Sequence, residues 1–291
     1  MANYSSIIYP MSETKNYAQP HGLQLLESAL EQFGPIFTIN QVKTLPTGRQ
    51  ISRSRLRWYM SALTRSGRLE SLKRGTYAVK SPSLGEEIHP FVIAAALVQP
   101  SVISHWSALA YHSFTTQIPK MVQVSIPRKI VTPEMRKGKS YRPRGRTVWQ
   151  ALGVEVELIH IQPRHFFGHQ QIWVSSWHQV AITDPERTVL DLVARPEVFG
   201  GLPAAIDILE DTLPRINHKT LVKYGLEYKV GAVIKRLGWI LEQLGVPKNE
   251  LASLQEYPVQ NIYRLDPASP VGEMNNDRWS VNENLRREDH A

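Results

Sequence analysis

Seventeen arginines and lysines crowded into two short stretches are the residues of this chain best suited to a chemistry, the neutralisation of a polyanion. Residues 49–80 hold nine of them, Arg49, Arg53, Arg55, Arg57, Arg65, Arg68, Lys73, Arg74 and Lys80, against one acid, Glu70. Residues 128–146 hold eight, Arg128, Lys129, Arg136, Lys137, Lys139, Arg142, Arg144 and Arg146, against Glu134. The two stretches carry +15 on a chain of net charge +8, so the remainder carries −7. Charge segregated in this way is the electrostatic footprint expected of a nucleic-acid partner.

The first stretch needs elements to position it, and the hydrophobic pattern supplies them. A helix is predicted over residues 22–33, with Leu23, Leu26, Leu30 and Phe33 on one face, ended by Gly34-Pro35. Thr38 and Gln41 have capping-box spacing before a short apolar stripe of Ile39, Val42 and Leu45. Pro46-Thr47-Gly48 reads as a turn. A further helix runs from near Ser52 to Gly67, with Leu56, Tyr59, Met60 and Leu63 turned inward. Steps of about 100° per residue put Ser54, Trp58, Ser61 and Arg65 on the opposite face, flanked by Arg55 and Arg57. That face has no acid. Two β-prone runs around Lys73-Arg74-Gly75 make a hairpin. Three helices followed by a hairpin is the order of a winged helix-turn-helix.

On this reading Arg53, Ser54, Arg55 and Trp58 face base edges in a major groove, and Ser61 lies on the same face. Arg49, Arg57, Arg65, Lys73 and Arg74 neutralise phosphates. Two alternatives stay open: the arginines serve only solubility, and Trp58 packs under the hairpin instead of touching DNA.

Composition bounds the rest. A chain of 291 residues, 42% hydrophobic, is long enough for two domains and buries real cores. No run of about 18 apolar residues is present, so no membrane span is expected. Cysteine is absent, which excludes disulfides and thiolate metal sites and suits a reducing cytoplasm. The polar residues 1–20 are expected to form a disordered leader, residues 21–82 the winged-helix domain, residues 86–250 an α/β domain with a helical C-terminal part, and residues 251–291 an extended tail. The fold class expected is α+β.

The second basic stretch, residues 136–146, has Gly and Pro spacing that forbids a regular helix. Arg136, Lys137, Lys139, Arg142, Arg144 and Arg146 there are either a second nucleic-acid contact, with Tyr141 for stacking, or a solvated surface loop. His160, His165 and His169 span Pro163 and Gly168 and cannot share a helical face, so no metal is expected. His105 and His112 are assigned to packing. Glu155 and Glu157 share a strand face, as paired carboxylates of a metal-dependent nuclease do, but no complete acid–base–metal set accompanies them. Asp184-Pro185-Glu186 is ordinary helix-start chemistry. No phosphate-binding glycine loop occurs, and no cofactor is expected.

Five places carry a family likeness. They are Leu72-Lys73-Arg74-Gly75-Thr76-Tyr77; Pro100-Ser101-Val102-Ile103-Ser104-His105-Trp106-Ser107-Ala108-Leu109 with Thr116-Gln117-Ile118-Pro119; Pro185-Glu186-Arg187-Thr188-Val189-Leu190-Asp191-Leu192; Lys235-Arg236-Leu237-Gly238-Trp239-Ile240-Leu241-Glu242; and Leu265-Asp266-Pro267 with Trp279-Ser280-Val281-Asn282-Glu283-Asn284. In this order, across roughly residues 22–284, the chain resembles the AbiEi-type antitoxins of type IV toxin–antitoxin systems. The resemblance implies a non-enzymatic, cytoplasmic protein whose winged helix represses its own operon by binding promoter DNA. It also implies a C-terminal domain that opposes a nucleotidyltransferase-like toxin without a stable complex. Segment 136–146 is more basic than the family pattern. Two other readings remain: a plain winged-helix transcriptional regulator whose C-terminal domain binds a ligand or partner, and a metal-dependent nuclease.

Overall fold

In the computed structural model, the residues described are 18–80, 87–136, 138 and 146–285. The chain is a mixture of helices and strands consistent with an α+β protein. It divides into two units, Met1–Ile88 and His89–Ala291, each taken by itself below.

In the first unit, helix α1 (Ala18–Phe33) is followed by strand β1 (Ile36–Thr38), α2 (Ile39–Thr44), a single turn α3 (Pro46–Arg49) and α4 (Arg53–Arg65). Strands β2 (Leu69–Lys73) and β3 (Thr76–Val79) close it, and the sheet order is β1-β3-β2, all antiparallel. α1 starts within the span expected to be a disordered leader. Pro20 is compatible with this, because a first-turn N–H has no helical partner to lose. Residues 1–17 lie outside the described residues. Thr38 and Gln41 make both halves of the capping box, with Thr38 N donating to Gln41 Oε1 at 2.7 Å and Gln41 N donating to Thr38 Oγ1 at 3.2 Å. The predicted turn at 46–48 is instead one helical turn with Pro46 at its first position, where proline is tolerated. Leu56, Tyr59, Met60 and Leu63 of α4 pack with Leu25, Leu26, Phe37, Val42 and Leu69 in one apolar core.

The second unit is built on a six-stranded mixed sheet. Its strands are β4 (Val102–Ile103), β5 (Val122–Ile126), β6 (Val148–Ala151), β7 (Val154–His160), β8 (His169–Trp173) and β9 (Gln179–Thr183), in the order β6-β7-β5-β4-β9-β8. β5 runs parallel to β7 and β4 to β9; the remaining neighbours are antiparallel. Helices α5 (Pro90–Leu97) and α6 (His105–Tyr111) contact it, and α7 (Pro133–Arg136) is one turn. α8 (Pro185–Ala194), α9 (Leu202–Thr212), α10 (His218–Tyr228), α11 (Gly231–Gln243) and α12 (Lys248–Gln255) then share a helical core.

Residues 251–285 are not an extended tail. α12 reaches into them, and strands β10 (Tyr263–Arg264), β11 (Asn275–Asn276) and β12 (Val281–Asn282) form a small sheet. Polar residues hide this fold in the sequence. Asn284 Nδ2 donates to the carbonyls of Asp266, Ser269 and Pro270, and Asn282 Nδ2 to those of Gly272 and Met274. Side-chain amides thus replace the long ladders that a hydrophobic pattern would have announced. Trp279 is fully buried against Gly238, where a Cβ would lie 2.0 Å from its ring, and its indole N–H donates to Glu242 Oε2. Residues 81–86, where the expected boundary between the winged-helix and α/β domains falls, lie outside the described residues.

Candidate nucleic-acid interface

Helix α4 sets its basic face by burying the opposite one. Ser52 caps it, its Oγ accepting from Arg55 N at 3.3 Å and lying 3.0 Å from Ser54 Oγ. Arg53, Ser54, Arg55, Arg57, Trp58, Ser61 and Arg65 are all exposed. Ser54 shares its hydroxyl with the cap, while the side chains of Arg53, Arg55 and Arg65 make no hydrogen bond or ion pair with the described residues. Trp58 is 47% exposed, with its ring edge-on to Tyr59 at 5.3 Å.

The approach to α4 is held by residues that the sequence pattern did not single out. Lys43 Nζ donates to the carbonyls of Gly48 at 3.3 Å, Arg49 at 3.0 Å and Ile51 at 2.6 Å, so one ammonium gathers the end of α3 and the lead-in to α4. The available signal was a lysine in the last turn of a short helix, where cations satisfy open carbonyls. Gly48 lets α2 and α3 touch: a Cβ there would lie 1.9 Å from Val42 O. Arg49, expected at phosphates, is exposed but donates from Nε to Thr44 O at 3.1 Å, so it also fastens the end of α2.

The β2–β3 turn presents Arg74 exposed and Lys73 half-buried, around Gly75 at φ +78°. The Gly75 carbonyl accepts from Ile39 N at 2.9 Å, which ties the turn to the start of α2. Strand β3 and α4 are electrically close: burial pushes the Tyr77 phenol on β3 up, and the Arg57 charge partly offsets it. Glu70, the lone acid of residues 49–80, is bonded to Lys80 at 2.6 Å. The first unit thus exposes arginines on α4 and at the turn with its one nearby carboxylate already paired.

The second basic stretch divides differently. Arg136 is exposed at the end of α7, and Lys137, Lys139, Arg142 and Arg144 lie outside the described residues. Arg146 is not a solvated loop cation: its Nε lies 3.4 Å from Glu157 Oε1. Glu157 is buried, and its other oxygen accepts from Gln123 Nε2 at 2.8 Å. Gln123 Oε1 in turn accepts from Trp106 N at 2.9 Å. The carboxylate considered for a nuclease is therefore occupied by a cation and an amide, while Glu155 is half-buried beside it on β7. Among the described residues no group of three or more His, Asp or Glu is placed to hold a metal ion. His160 and His169 are exposed, whereas His165 is buried and stacks on Tyr228 at 3.9 Å.

The remaining sequence motifs fasten the second unit. Asp184 caps α8, its Oδ1 accepting from Arg187 N and its Oδ2 from the Tyr224 hydroxyl, each at 2.8 Å. Burial, then that hydrogen bond and the carboxylate's charge, push the Tyr224 phenol up to about 12. Arg187 is fully buried, paired with Asp191 at 2.8 Å, and donates to the carbonyls of His165 and Phe167. Lys235 donates to Leu254 O and Gln255 O, and Arg236 to Leu265 O and Val193 O. His105 is buried at φ +53° with Nδ1 2.7 Å from Ser104 Oγ.

No family model matches the chain, and no curated protein matches it. Among solved structures, it is similar to the crystal structure of the RV2827C protein from Mycobacterium tuberculosis, with a TM-score of 0.57 and 15% identity over 90% of both chains. At that identity the likeness shows the fold alone. No helix among the described residues is long and apolar enough to cross a membrane.

Proposed function

We propose that residues 18–80 are a winged helix-turn-helix that binds promoter DNA. On the AbiEi-like motifs quoted above, we propose further that the chain is the antitoxin of a type IV system, repressing its own operon and opposing a nucleotidyltransferase-like toxin in the cytoplasm. The observation that carries the reading is the exposed face of α4, where Arg53, Arg55, Arg57 and Arg65 stand without an acid. A solvated helix mixes charge signs; a single-sign face within one of two basic stretches, on a chain whose remainder carries −7, favours a polyanion. The capped start of α4 is the part that enters a major groove in proteins of this architecture. The hairpin turn with Lys73 and Arg74 then reaches the backbone or the minor groove. The engaged state of Glu157 supports a non-enzymatic role over the nuclease reading.

The test is binding of the full chain to a duplex taken from upstream of its own coding sequence, against a scrambled duplex, across a salt series. Specific binding whose logarithm falls linearly with the logarithm of salt is expected, with a slope near −0.9 per phosphate neutralised. Equal affinity for both duplexes would remove the repressor reading. Rescue of cells expressing the neighbouring toxin-like gene separates the antitoxin from a plain regulator, which would bind DNA and give no rescue.

A further inference from the structure

Among the described residues, the outermost strand of the six-stranded sheet has an edge without the usual protections. β8 pairs with β9, and among the described residues no strand lies beyond it. The register decides which of its backbone groups are used. Val174 N donates to His178 O at 3.1 Å, and Asp184 N to Gly168 O at 3.0 Å. Pairs that exchange hydrogen bonds alternate along an antiparallel ladder. Counted from both ends, residues 170 and 172 bond to β9, and His169, Gln171 and Trp173 turn their N–H and C=O groups to the open edge.

Soluble proteins blunt such edges with lysine, proline, a bulge or a covering segment. Residues 169–179 contain no Lys, Arg, Asp, Glu, Pro or Gly, and the β8–β9 register has no irregularity. Trp173 stands 65% exposed and Trp177 47% exposed on this hairpin. The opposite edge of the sheet, β6, follows the basic stretch 128–146 and is only four residues long.

We propose that the β8 edge is where two copies of this chain meet, by antiparallel β8–β8 pairing about a two-fold axis through Gln171. The open groups at 169, 171 and 173 are symmetric about residue 171. One register therefore sets each Gln171 opposite its copy and each Trp173 opposite the partner's His169, and the open N–H and C=O groups of both strands are satisfied together. Two aromatic cross-strand pairs result, of a kind that stabilises sheets. Charge selects the same occupant. Residues 169–179 bear no Lys, Arg, Asp or Glu, so two identical copies of this edge meet without opposing like charges. A five-residue strand gives a small contact, so the dimer is of the weak, reversible class seen at micromolar concentrations and above.

The absence of cysteine makes the axis easy to probe. Directly opposed, hydrogen-bonded residues have Cα atoms about 5.5 Å apart, within disulfide reach. Mild oxidation of the full-length Gln171→Cys protein is expected to yield a covalent dimer, and Lys219→Cys, exposed on α10, to remain monomeric. Sedimentation of the unaltered protein without DNA is expected to show a concentration-dependent monomer–dimer equilibrium. Gln171→Pro, which removes an N–H that β9 does not use, is expected to weaken it at least about tenfold while leaving the thermal transition in place. A protein monomeric throughout the micromolar range, cross-linking no faster at 171 than at 219, or a dimer indifferent to Gln171→Pro would each overturn the proposal. No arm contains DNA, so the outcome leaves the DNA reading standing or falling on its own test.

Discussion

Replacing Gly48 with alanine drives a methyl group into backbone. A Cβ at this position falls 1.9 Å from Val42 O, 3.0 Å from Val42 C and 3.3 Å from Lys43 Cα. All three atoms belong to the main chain of α2, so no rotamer change relieves the contact. A carbon meets an oxygen comfortably at about 3.3 Å, so α3 must back away from α2 by more than about 1 Å. That shift pulls at the three carbonyls held by Lys43 and hence at the lead-in to α4. Because the 1.9 Å contact is with fixed backbone, overpacking here costs about 2–3 kcal/mol, the upper part of the usual range, and the better helix propensity of alanine returns at most about 1 kcal/mol. The net loss is about 1–2 kcal/mol, or about 5- to 30-fold in the opening equilibrium at 1.4 kcal/mol per decade. Hydrogen exchange of the full chain reads it directly: peptides covering α2 to α4 lose protection by that factor, and peptides of the second unit do not change. Equal or greater protection in Gly48→Ala would refute the claim that the α2–α3 contact sets the position of α4.

Acid should destabilise the second unit through His105. Burial pushes its imidazole down to about 4, with Asp191 and Glu197 working against the shift and Arg195 and Arg187 with it. The unfolded ring binds a proton below about 6.5, the folded ring not until about 4, so stability is complete above the first value and falls as pH drops toward the second. The loss is at most about 3 kcal/mol. Urea titrations at a series of pH values measure it, and His105→Asn, which tolerates the left-handed backbone, should flatten the profile. Trp279→Ala should cost about 3–5 kcal/mol in denaturant titration of the second unit; a loss below 1 kcal/mol would mean that the C-terminal segment contributes no core. Supercoiled plasmid incubated with magnesium or manganese is expected to stay intact, and nicking that disappears in Glu157→Ala would revive the nuclease reading.

Where the sequence could be read, local chemistry and packing agreed. The Thr38–Gln41 box, the helix start near Ser52 and the inward face of α4 are short-range patterns that tertiary structure had no reason to override. The exposed arginines of α4 follow from the same periodicity. What escaped reading depends on distant partners. Arg146 looked like a loop cation because its carboxylate, Glu157, lies on β7, distant in sequence. β4 is two residues long and takes its identity from Val124 and Ile182 beside Ile103, not from a pattern of its own. The C-terminal segment is held by buried asparagines, Trp279 and Arg236, polar or isolated residues that carry no periodicity. Gly48 was invisible for the same reason, and Lys43 offered only its place in a last helical turn: each matters through the main chain of a neighbouring turn.

The central claim is that α4 reads bases while the β2–β3 turn grips the backbone. The measurement that tests it most directly is the ratio of operator to scrambled-duplex affinity, taken across a salt series for variants of each element. Loss of a bidentate arginine–guanine contact costs about 1–3 kcal/mol and relaxes base preference. Loss of a phosphate contact weakens all sequences alike and lowers the salt slope by about one unit. Arg53→Ala and Arg55→Ala are therefore expected to shrink the ratio by about 5- to 150-fold. Lys73→Ala and Arg74→Ala are expected to weaken both affinities and leave the ratio nearly unchanged. Turn variants that lose specificity while the helix variants keep it would contradict the account.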